Sequence, residues 1–312
     1  MVFQHDTVFY GGIEGGGTKF VCAVGTGPDD LQDLRTIRTT SPNETLDHVI
    51  AYFSDKQQTI KIRSLGLASF GPLNLNPDSD HFGYITSTPK PGWQNFNILG
   101  ALHYALKLPI AIDTDVTAAA VAESKWGVAQ GIHNFLYLTV GTGVGGGAII
   151  NGKPLHGRDH PEMGHILIPH DPQLDPFSGT CPFHRNCLEG LASGVAIEKR
   201  WGLSPEELNV DHPAWRLEAN YLAHAIVTFI FTLSPQLIIM GGGVMHQPAL
   251  LPLIRDRVRL LLNGYIFTLG LSEKMENYIV RPGLGNQVGV LGGIALAEEL
   301  PVESDATKRY RP

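Results

Sequence analysis

The sequence predicts an α/β fold built from two like halves, set as two lobes with a ligand cleft between them. Three observations carry that expectation. A glycine-turned hairpin occurs twice, once around Gly15-Gly16-Gly17-Thr18-Lys19 and once around Gly141-Thr142-Gly143-Val144-Gly145-Gly146-Gly147. Strand-like apolar runs alternate with helix-like segments through both halves, as in sheets covered by helices. A third glycine-rich strand end, Leu237 to Met240 running into Gly241-Gly242-Gly243, falls in the second half.

In chain order, Val8 to Glu14 is strand-like, the glycine run turns the chain, and Phe20 to Val24 resumes a strand. Such a turn aims backbone N–H groups outward beside Thr18 and Lys19, a layout suited to phosphate oxygens. It is no Walker loop, because G-x-x-x-x-G-K-[ST] is absent. One glycine run alone reads more readily as an ordinary tight hairpin; its recurrence favours a ligand. Ser41-Pro42-Asn43-Glu44 has the form of a capping box with proline at the first helical position, opening a helix through about Ser54. Arg63 to Ser69 is a strand broken by Phe70-Gly71-Pro72. The loop that follows runs to Gly92 and is long enough to expect functional contacts. At its tip, Thr88-Pro89-Lys90-Pro91-Gly92-Trp93, Thr88 and Lys90 are candidate substrate contacts, and Trp93 reads equally as core or as cleft lining.

Phe96 to Lys107 is helical and Pro109 to Ile112 a strand; Asp113-Thr114-Asp115 then leads into the alanine-rich helix Val116 to Glu123. An Asp at a helix start commonly caps it. Asp115 also follows the carboxyl end of a strand, where open α/β sheets place ligands, and a helix N-terminus keeps it ionised and able to accept a proton. Further on, Phe135 to Val140 and Ala148 to Ile150 flank the second glycine turn, closed by Asn151-Gly152. Leu188 to Arg200 reads as one helix, Ser204-Pro205-Glu206-Glu207 as a second capping box, and Ala214 to Leu233 as a long helix. A helix follows Pro248, Tyr278 to Val280 is a strand, Gly289 to Leu300 a closing helix, and Pro301 to Pro312 a polar tail expected to fray. His103, His133 and His224 read as packed polar residues rather than ligands.

The stretch from Glu162 to Glu189 concentrates the metal-grade side chains. Cys181-Pro-Phe-His184-Arg-Asn-Cys187 supplies three donors and His165 a fourth, a Cys2His2 zinc set. No helix carrying H-x3–5-H follows, so this is a stapled loop and not a nucleic-acid finger. Glu162 and Glu189 are surplus to four N/S ligands and stay free for a substrate.

The chain of 312 residues carries a formal charge of -7 with Lys and Arg scattered, which argues for a small-molecule ligand and against a nucleic-acid surface. The first residues lack the features of a signal peptide and no apolar run approaches membrane-spanning length, so a cytoplasmic protein that engages no membrane is expected. Of the three cysteines, two are claimed as thiolate ligands, which suits a reducing compartment; Cys22, in a strand, reads as a buried small hydrophobe. Three glycine-rich strand ends, a carboxylate at a strand-to-helix junction and a metal-ordered carboxylate loop together describe a nucleotide site facing a polyol site. Phosphoryl transfer fits best. Asp115 is then the base, Gly16 to Lys19 and Gly141 to Gly143 hold phosphates with Mg2+, and Gly241 and Gly242 bed the adenine. Glu162, His165 and Glu189 grip the hydroxyls that do not react.

At these residues the chain resembles the ROK family of sugar kinases, within the actin-like ATPase (ribonuclease H-like) superfamily, over nearly its whole length. Glu14-Gly-Gly-Gly-Thr-Lys19 is similar to the family's first phosphate motif, usually opened by Asp, Thr139 to Gly147 to its second, and Ile239 to Gly243 to its adenosine motif. Glu162-Met-Gly-His165 resembles E-x-G-H, in which the glutamate holds sugar hydroxyls and the histidine both touches sugar and ligates zinc. Glu189 matches the second sugar glutamate, and Asp115 the catalytic Asp of N-D-A-N-A-A. Thr114 and Thr117 replace both asparagines of that stretch, the first of which usually contacts sugar, and His184 stands where C-x-C-x4-C members use cysteine. The Cys-Pro-Phe-His form, with Pro161 to Ile166 and Thr88 to Trp93, resembles the bacterial fructokinase branch, which makes fructose 6-phosphate from fructose and ATP. The resemblance implies a small lobe of residues 1–113 plus 287–312, a large lobe of 114–286 carrying the zinc loop 162–189, structural Zn2+, Mg2+ with ATP, and a homodimer. Two rival readings are a kinase for glucose, mannose or an N-acyl amino sugar, and a sugar-responsive repressor. The repressor needs an N-terminal winged helix, for which a first strand near Val8 leaves no room.

Overall fold

The computed structural model describes residues 7–266 and 275–301. They form two compact units. The first takes the chain up to Gln130, the short segment His156–His160, and the residues from Gly283 on. In it β1 (Phe9–Gly15) pairs antiparallel with β2 (Lys19–Gly25), and β2 with β3 (Leu31–Arg38). Helix α1 (Pro42–Lys56) leads to β4 (Ile62–Ser69), parallel to β1. A two-stranded ribbon of β5 (Tyr84–Ile85) and β6 (Phe96–Asn97) precedes α2 (Ile98–Leu106), β7 (Ile110–Thr114) and α3 (Asp115–Trp126). With β7 parallel to β4, the sheet order is β3-β2-β1-β4-β7. Its core gathers Ile13, Phe20, Phe53, Leu65, Leu67 and Trp93.

The sequence reading missed β3 because most of its residues stay in water: of Leu31-Gln-Asp-Leu-Arg-Thr-Ile-Arg38 only Ile37 is buried. Charged, polar strands of this kind suit a sheet edge. Ser41 is the N-cap of α1 and Pro42 its first residue, yet Ser41 makes no side-chain cap bond. The expected capping box does not form; beside it the Thr45 hydroxyl accepts the Thr40 N–H at 2.9 Å. Trp93 belongs to the core: it is fully buried, stacks on Phe20 at 5.6 Å and donates Nε1–H to the Thr40 carbonyl at 2.9 Å. Phe96 and Asn97 form a strand, so α2 begins only at Ile98, where the Asn97 side chain caps it.

The second unit takes Gly131–Leu155 and Pro161–Pro282. Strands β8 (Phe135–Val140) and β9 (Val144–Ile150) form its glycine-turned hairpin, with β10 (Lys153–Pro154) antiparallel beyond β9. The return strand starts at Val144, opposite Val140, so the turn shrinks to Gly141-Thr142-Gly143. Asn151 and Gly152 both take left-handed φ, 52° and 75°, as a two-residue hairpin turn requires. Where one helix was expected from Leu188, there are two, α4 (Leu188–Ala192) and α5 (Gly194–Trp201). Ser193 between them is extended and caps α5 by accepting the Ala196 N–H at 3.2 Å. At Ser204 the Glu207 carboxylate does bond back to the backbone N–H and the hydroxyl, at 2.9 and 2.8 Å, but the segment remains a turn and opens no helix of its own. Helix α6 (Ala214–Leu233), β11 (Leu237–Gly241), α7 (Leu250–Leu262), α8 (Met275–Tyr278) and β12 (Ile279–Val280) complete the unit. Tyr278 ends a helical turn rather than opening the strand. The sheet order is β10-β9-β8-β11-β12, with β8, β11 and β12 parallel.

From Gly283 the chain rejoins the first unit and forms α9 (Val288–Glu298). The sequence reading divided the lobes at residue 113, whereas here the changeover follows Gln130, because α3 lies along α9. A Cβ at Gly292 would fall 2.5 Å from the Ala118 carbonyl carbon, so the two helices meet at backbone contact. The polar tail beyond Pro301 lies outside the described residues. Among those described, no helix is long and apolar enough to cross a membrane.

Candidate active site and metal-binding loop

The first unit supplies two strand ends and a hairpin turn. Asp115 opens α3 directly after β7, and the cap of that helix is its neighbour: Thr114 accepts the Thr117 N–H at 3.2 Å and donates its hydroxyl to Thr117 Oγ1 at 2.8 Å. Capping therefore does not explain Asp115. Its Oδ1 accepts the Val116 N–H at 2.9 Å. Across the β1–β2 turn, Gly16 N–H reaches the Lys19 carbonyl at 2.9 Å and the Gly16 carbonyl accepts the Thr39 hydroxyl at 2.8 Å, which fixes the turn. Glu14, where the family pattern has Asp, is held above the usual carboxylate range by burial and lies against Gly289 at the start of α9. Thr88 is buried and Lys90 half-buried; the Lys90 side chain ends beside Gly17.

One part of this unit was not anticipated. His156–His160 is pinned at both ends. His156 Nε2 lies 3.2 and 3.0 Å from the two oxygens of buried Asp113, and His160 Nε2 accepts the Leu73 N–H at 3.0 Å. The pair with Asp113 raises the pKa of His156. The available signal was the run His156-Gly-Arg-Asp-His160 directly before Pro161-Glu162.

In the second unit the expected residues do come together. Val144, first residue of β9, serves both carboxylate segments. Its N–H donates to Glu189 Oε2 at 3.1 Å, and its carbonyl packs so closely on Gly164 that a Cβ there would sit 1.9 Å away. That contact seats the single helical turn Met163–His165 on β9. Although Glu162 reaches solvent, the protein around it, and then the charge of Glu189, push its carboxyl up to about 7. Gly143 lies against the Glu189 carboxylate, so the second glycine turn and the second carboxylate are neighbours. The start of α5 joins them, Gly194 N–H donating to the Gly141 carbonyl at 2.7 Å. A Cβ on Gly141 would come within 4.0 Å of Gly243 N, which puts the end of β11 beside this turn.

The four proposed metal ligands converge. One donor atom each from His165, Cys181, His184 and Cys187 lies within 4.8 Å of the others. His165 Nδ1 is 3.7 Å from Cys181 Sγ and 3.5 Å from Cys187 Sγ, and His184 Nδ1 is 3.7 Å from Cys181 Sγ. Bonds of about 2.3 Å to sulfur and about 2.0–2.1 Å to nitrogen at tetrahedral angles place S and N about 3.6 Å apart. The donor set and its spacing fit zinc. The knuckle is shaped by paired backbone bonds between Cys181 and Arg185, with Arg185 in the left-handed region, and by the Leu188 N–H reaching the Ile166 carbonyl at 2.9 Å. Of the three histidines read as packed, His133 is exposed, while the His224 pKa is lowered by burial and nearby Arg257.

The pattern described as the ROK family matches residues 10–300. The chain belongs to the ROK family. It is 44% identical over 298 residues to a fructokinase of Zymomonas mobilis, covering 94% of this chain and 98% of that one. A protein of Bacillus subtilis described as a putative fructokinase is 43% identical over 289 residues, covering 93% and 95%. Among solved structures, a ROK hexokinase from Thermus thermophilus matches with a TM-score of 0.74 and 26% identity over 93% of this chain and 98% of that one. A ROK glucokinase from Streptomyces griseus, solved with glucose and AMPPNP, matches with a TM-score of 0.76 at 22% identity over 94% and 100%, a likeness of fold. The duplicated actin-like ATPase fold expected from the sequence is the fold of this ROK protein.

Proposed function

We propose that the chain is an ATP-dependent fructokinase, transferring the terminal phosphoryl group of ATP to the 6-hydroxyl of fructose. The observation that carries this reading is Asp115 at the carboxyl end of β7 as the first residue of α3, in a chain alike over more than nine-tenths of its length to fructokinases. Asp115 takes the hydroxyl proton as the oxygen attacks phosphorus, the phosphorus–oxygen bond to ADP breaks in line, and ADP leaves. Gly16, Gly17, Thr18 and Lys19, with Gly141, Thr142 and Gly143, hold the phosphates, and Gly241 and Gly242 bed the adenine. Mg2+ bound with ATP supplies charge neutralisation at the phosphates. Glu162, His165, Glu189 and Thr88 orient the sugar, and Lys90 is a further substrate contact.

Zinc fits His165, Cys181, His184 and Cys187 and would supply order to the loop without entering the reaction. Because both sulfur atoms face Nδ1 of His165, Nε2 is the nitrogen left for sugar. Two thiolate ligands call for a reducing compartment, in keeping with a cytoplasmic enzyme, and the family resemblance implies a homodimer. A specific observation favours fructose over glucose: Thr114 and Thr117 are buried and bonded to each other, so the amide that usually contacts sugar elsewhere in the family has no counterpart here. The test is an ADP-release assay over a hexose panel with Asp115→Asn alongside the wild type. Turnover is expected to be highest with fructose and to fall by roughly 10²–10⁴-fold in the variant, as for loss of a general base, with sugar binding retained. Undiminished turnover in Asp115→Asn sinks the assignment of the base.

A further inference from the structure

The side chain of Lys90 ends at the β1–β2 turn. A Cβ built on Gly17 would meet Lys90 Cε at 3.2 Å and Nζ at 3.4 Å, so the ammonium lies over the backbone of the β1–β2 turn. Gly17 has no side chain to obstruct that approach. The position is fixed from below. The Lys90 carbonyl accepts the Trp93 N–H at 3.2 Å, its own N–H reaches Thr88 Oγ1 at 3.4 Å, and Trp93 is buried against Phe20, the residue that follows Lys19 in the same hairpin. On its other side Nζ lies 5.8 Å from the centre of the Phe70 ring. Among the described residues Lys90 forms no ion pair with a carboxylate, and burial lowers its pKa. A partly desolvated ammonium beside the backbone of a glycine turn is a site for a dense, mobile negative charge.

We propose that Lys90 is a catalytic residue whose ammonium contacts the phosphoryl group in flight, rather than a hydroxyl of the sugar. The inference rests on the reading above, in which Gly16 to Lys19 hold the phosphates and Asp115 is the base. The sugar oxygen–phosphorus bond forms while the phosphorus–oxygen bond to ADP breaks; the hydroxyl proton passes to Asp115, and Lys90 keeps its proton throughout. Its charge meets the three equatorial oxygens, where charge is spread in a loose transition state. Aimed there beforehand, it stabilises the transition state more than bound ATP.

The experiment uses the full chain as Lys90→Met and Lys90→Gln, with Asp115→Asn in parallel. Steady-state ADP release gives kcat and the hexose KM, and calorimetry gives the affinity of a non-hydrolysable ATP analogue and of ADP. The expected result in both Lys90 variants is a fall in kcat of about 10²–10³-fold, as for loss of one preorganised donor, with hexose KM within about threefold of wild type. The ATP analogue should bind more weakly while ADP, which lacks the terminal phosphoryl group, binds as before. A raised hexose KM at unchanged kcat overturns the proposal in favour of sugar contact. Equal weakening of the ATP analogue and ADP also overturns it, because a variant that merely loosens the hairpin would behave so. Full turnover in Asp115→Asn removes the assignment of the base itself, an outcome distinct from either.

Discussion

Asp113 is within two residues of the assigned base, and the structure ties it to His156 rather than leaving it to solvent. Asp113 Oδ1 also accepts the Thr114 N–H at 2.7 Å, so one carboxylate orders the peptide from which both the cap of α3 and Asp115 project. Since the pair raises the His156 pKa, the folded protein binds its proton more tightly than the unfolded chain. Its contribution to stability is complete below the unfolded value of about 6.5 and is lost as pH rises through the higher folded value. Replacing His156 by Gln keeps a neutral hydrogen bond and removes the charge. The melting-temperature gap between wild type and His156→Gln should therefore be widest near pH 6 and close toward pH 8.5, followed by circular dichroism in matched buffers. A gap that stays constant across that range would show that the charge contributes nothing. Nothing in the sequence paired Asp113 with His156, because the two are distant in the chain and only the five-residue return to the first unit brings them together.

Among the elements, those with a dominant local signal were the legible ones. The limits of α6 coincide with the apolar periodicity of Ala214 to Leu233, and Pro42 marks the start of α1. The misread segments are those in which two local signals compete. Ser193 can sit within a helix or cap the next one, and tertiary contact with Gly141 decides for the cap. The candidate metal-binding loop is legible as a ligand set but not as a doubly anchored element. Its middle is held by Asp175, buried, whose Oδ2 accepts the Tyr221 hydroxyl at 2.6 Å and faces Arg200 Nη2 at 3.2 Å. The His170 ring reaches the Asp175 carbonyl at 2.9 Å. Stripping zinc with a chelator should raise the hexose KM and lower the melting temperature while leaving the KM for ATP within about twofold, because both glycine turns are the ends of sheet hairpins paired along their whole length. Removing one partner of a buried ion pair typically costs about 3–5 kcal/mol. Asp175→Ala should accordingly make the loop depend wholly on metal, so that chelation now abolishes hexose saturation altogether. An unchanged hexose KM in metal-free wild-type protein, verified by metal analysis, would refute the role of zinc in ordering the sugar contacts.

At the scale of the whole molecule, the duplication first seen as two glycine-turned hairpins extends to the entire sheet. In each unit the hairpin's first strand is central, its second and a third strand lie antiparallel on one side, and two later strands lie parallel on the other. Each sheet rests on its own buried cluster. Cluster membership could be anticipated from apolar strands, but the chain's return paths could not. The chain passes between the units four times, and a single side chain fixes the first-unit backbone next to two of these passages, after Gln130 and before Gly283. Glu123, fully buried near the end of α3, accepts the N–H of Val128 at 2.9 Å and of Gly283 at 3.2 Å through Oε2, and of Leu284 at 3.1 Å through Oε1. The same helix begins with Asp115, so α3 carries the assigned base at one end and this anchor at the other. Exchanging Glu123 for Gln turns one of the accepting oxygens into an N–H2 group facing backbone donors, and a buried donor left without a partner costs about 1–3 kcal/mol. Glu123→Gln should thus lower the melting temperature by several degrees and reduce kcat more than either KM, since the displaced element is the one that presents the proposed base and not those proposed to grip the sugar or the adenine. Thermal melts and steady-state kinetics on the same preparation decide the matter. A lowered melting temperature with kcat intact would confine Glu123 to stability, and no change in either would mean that the three N–H groups find other partners.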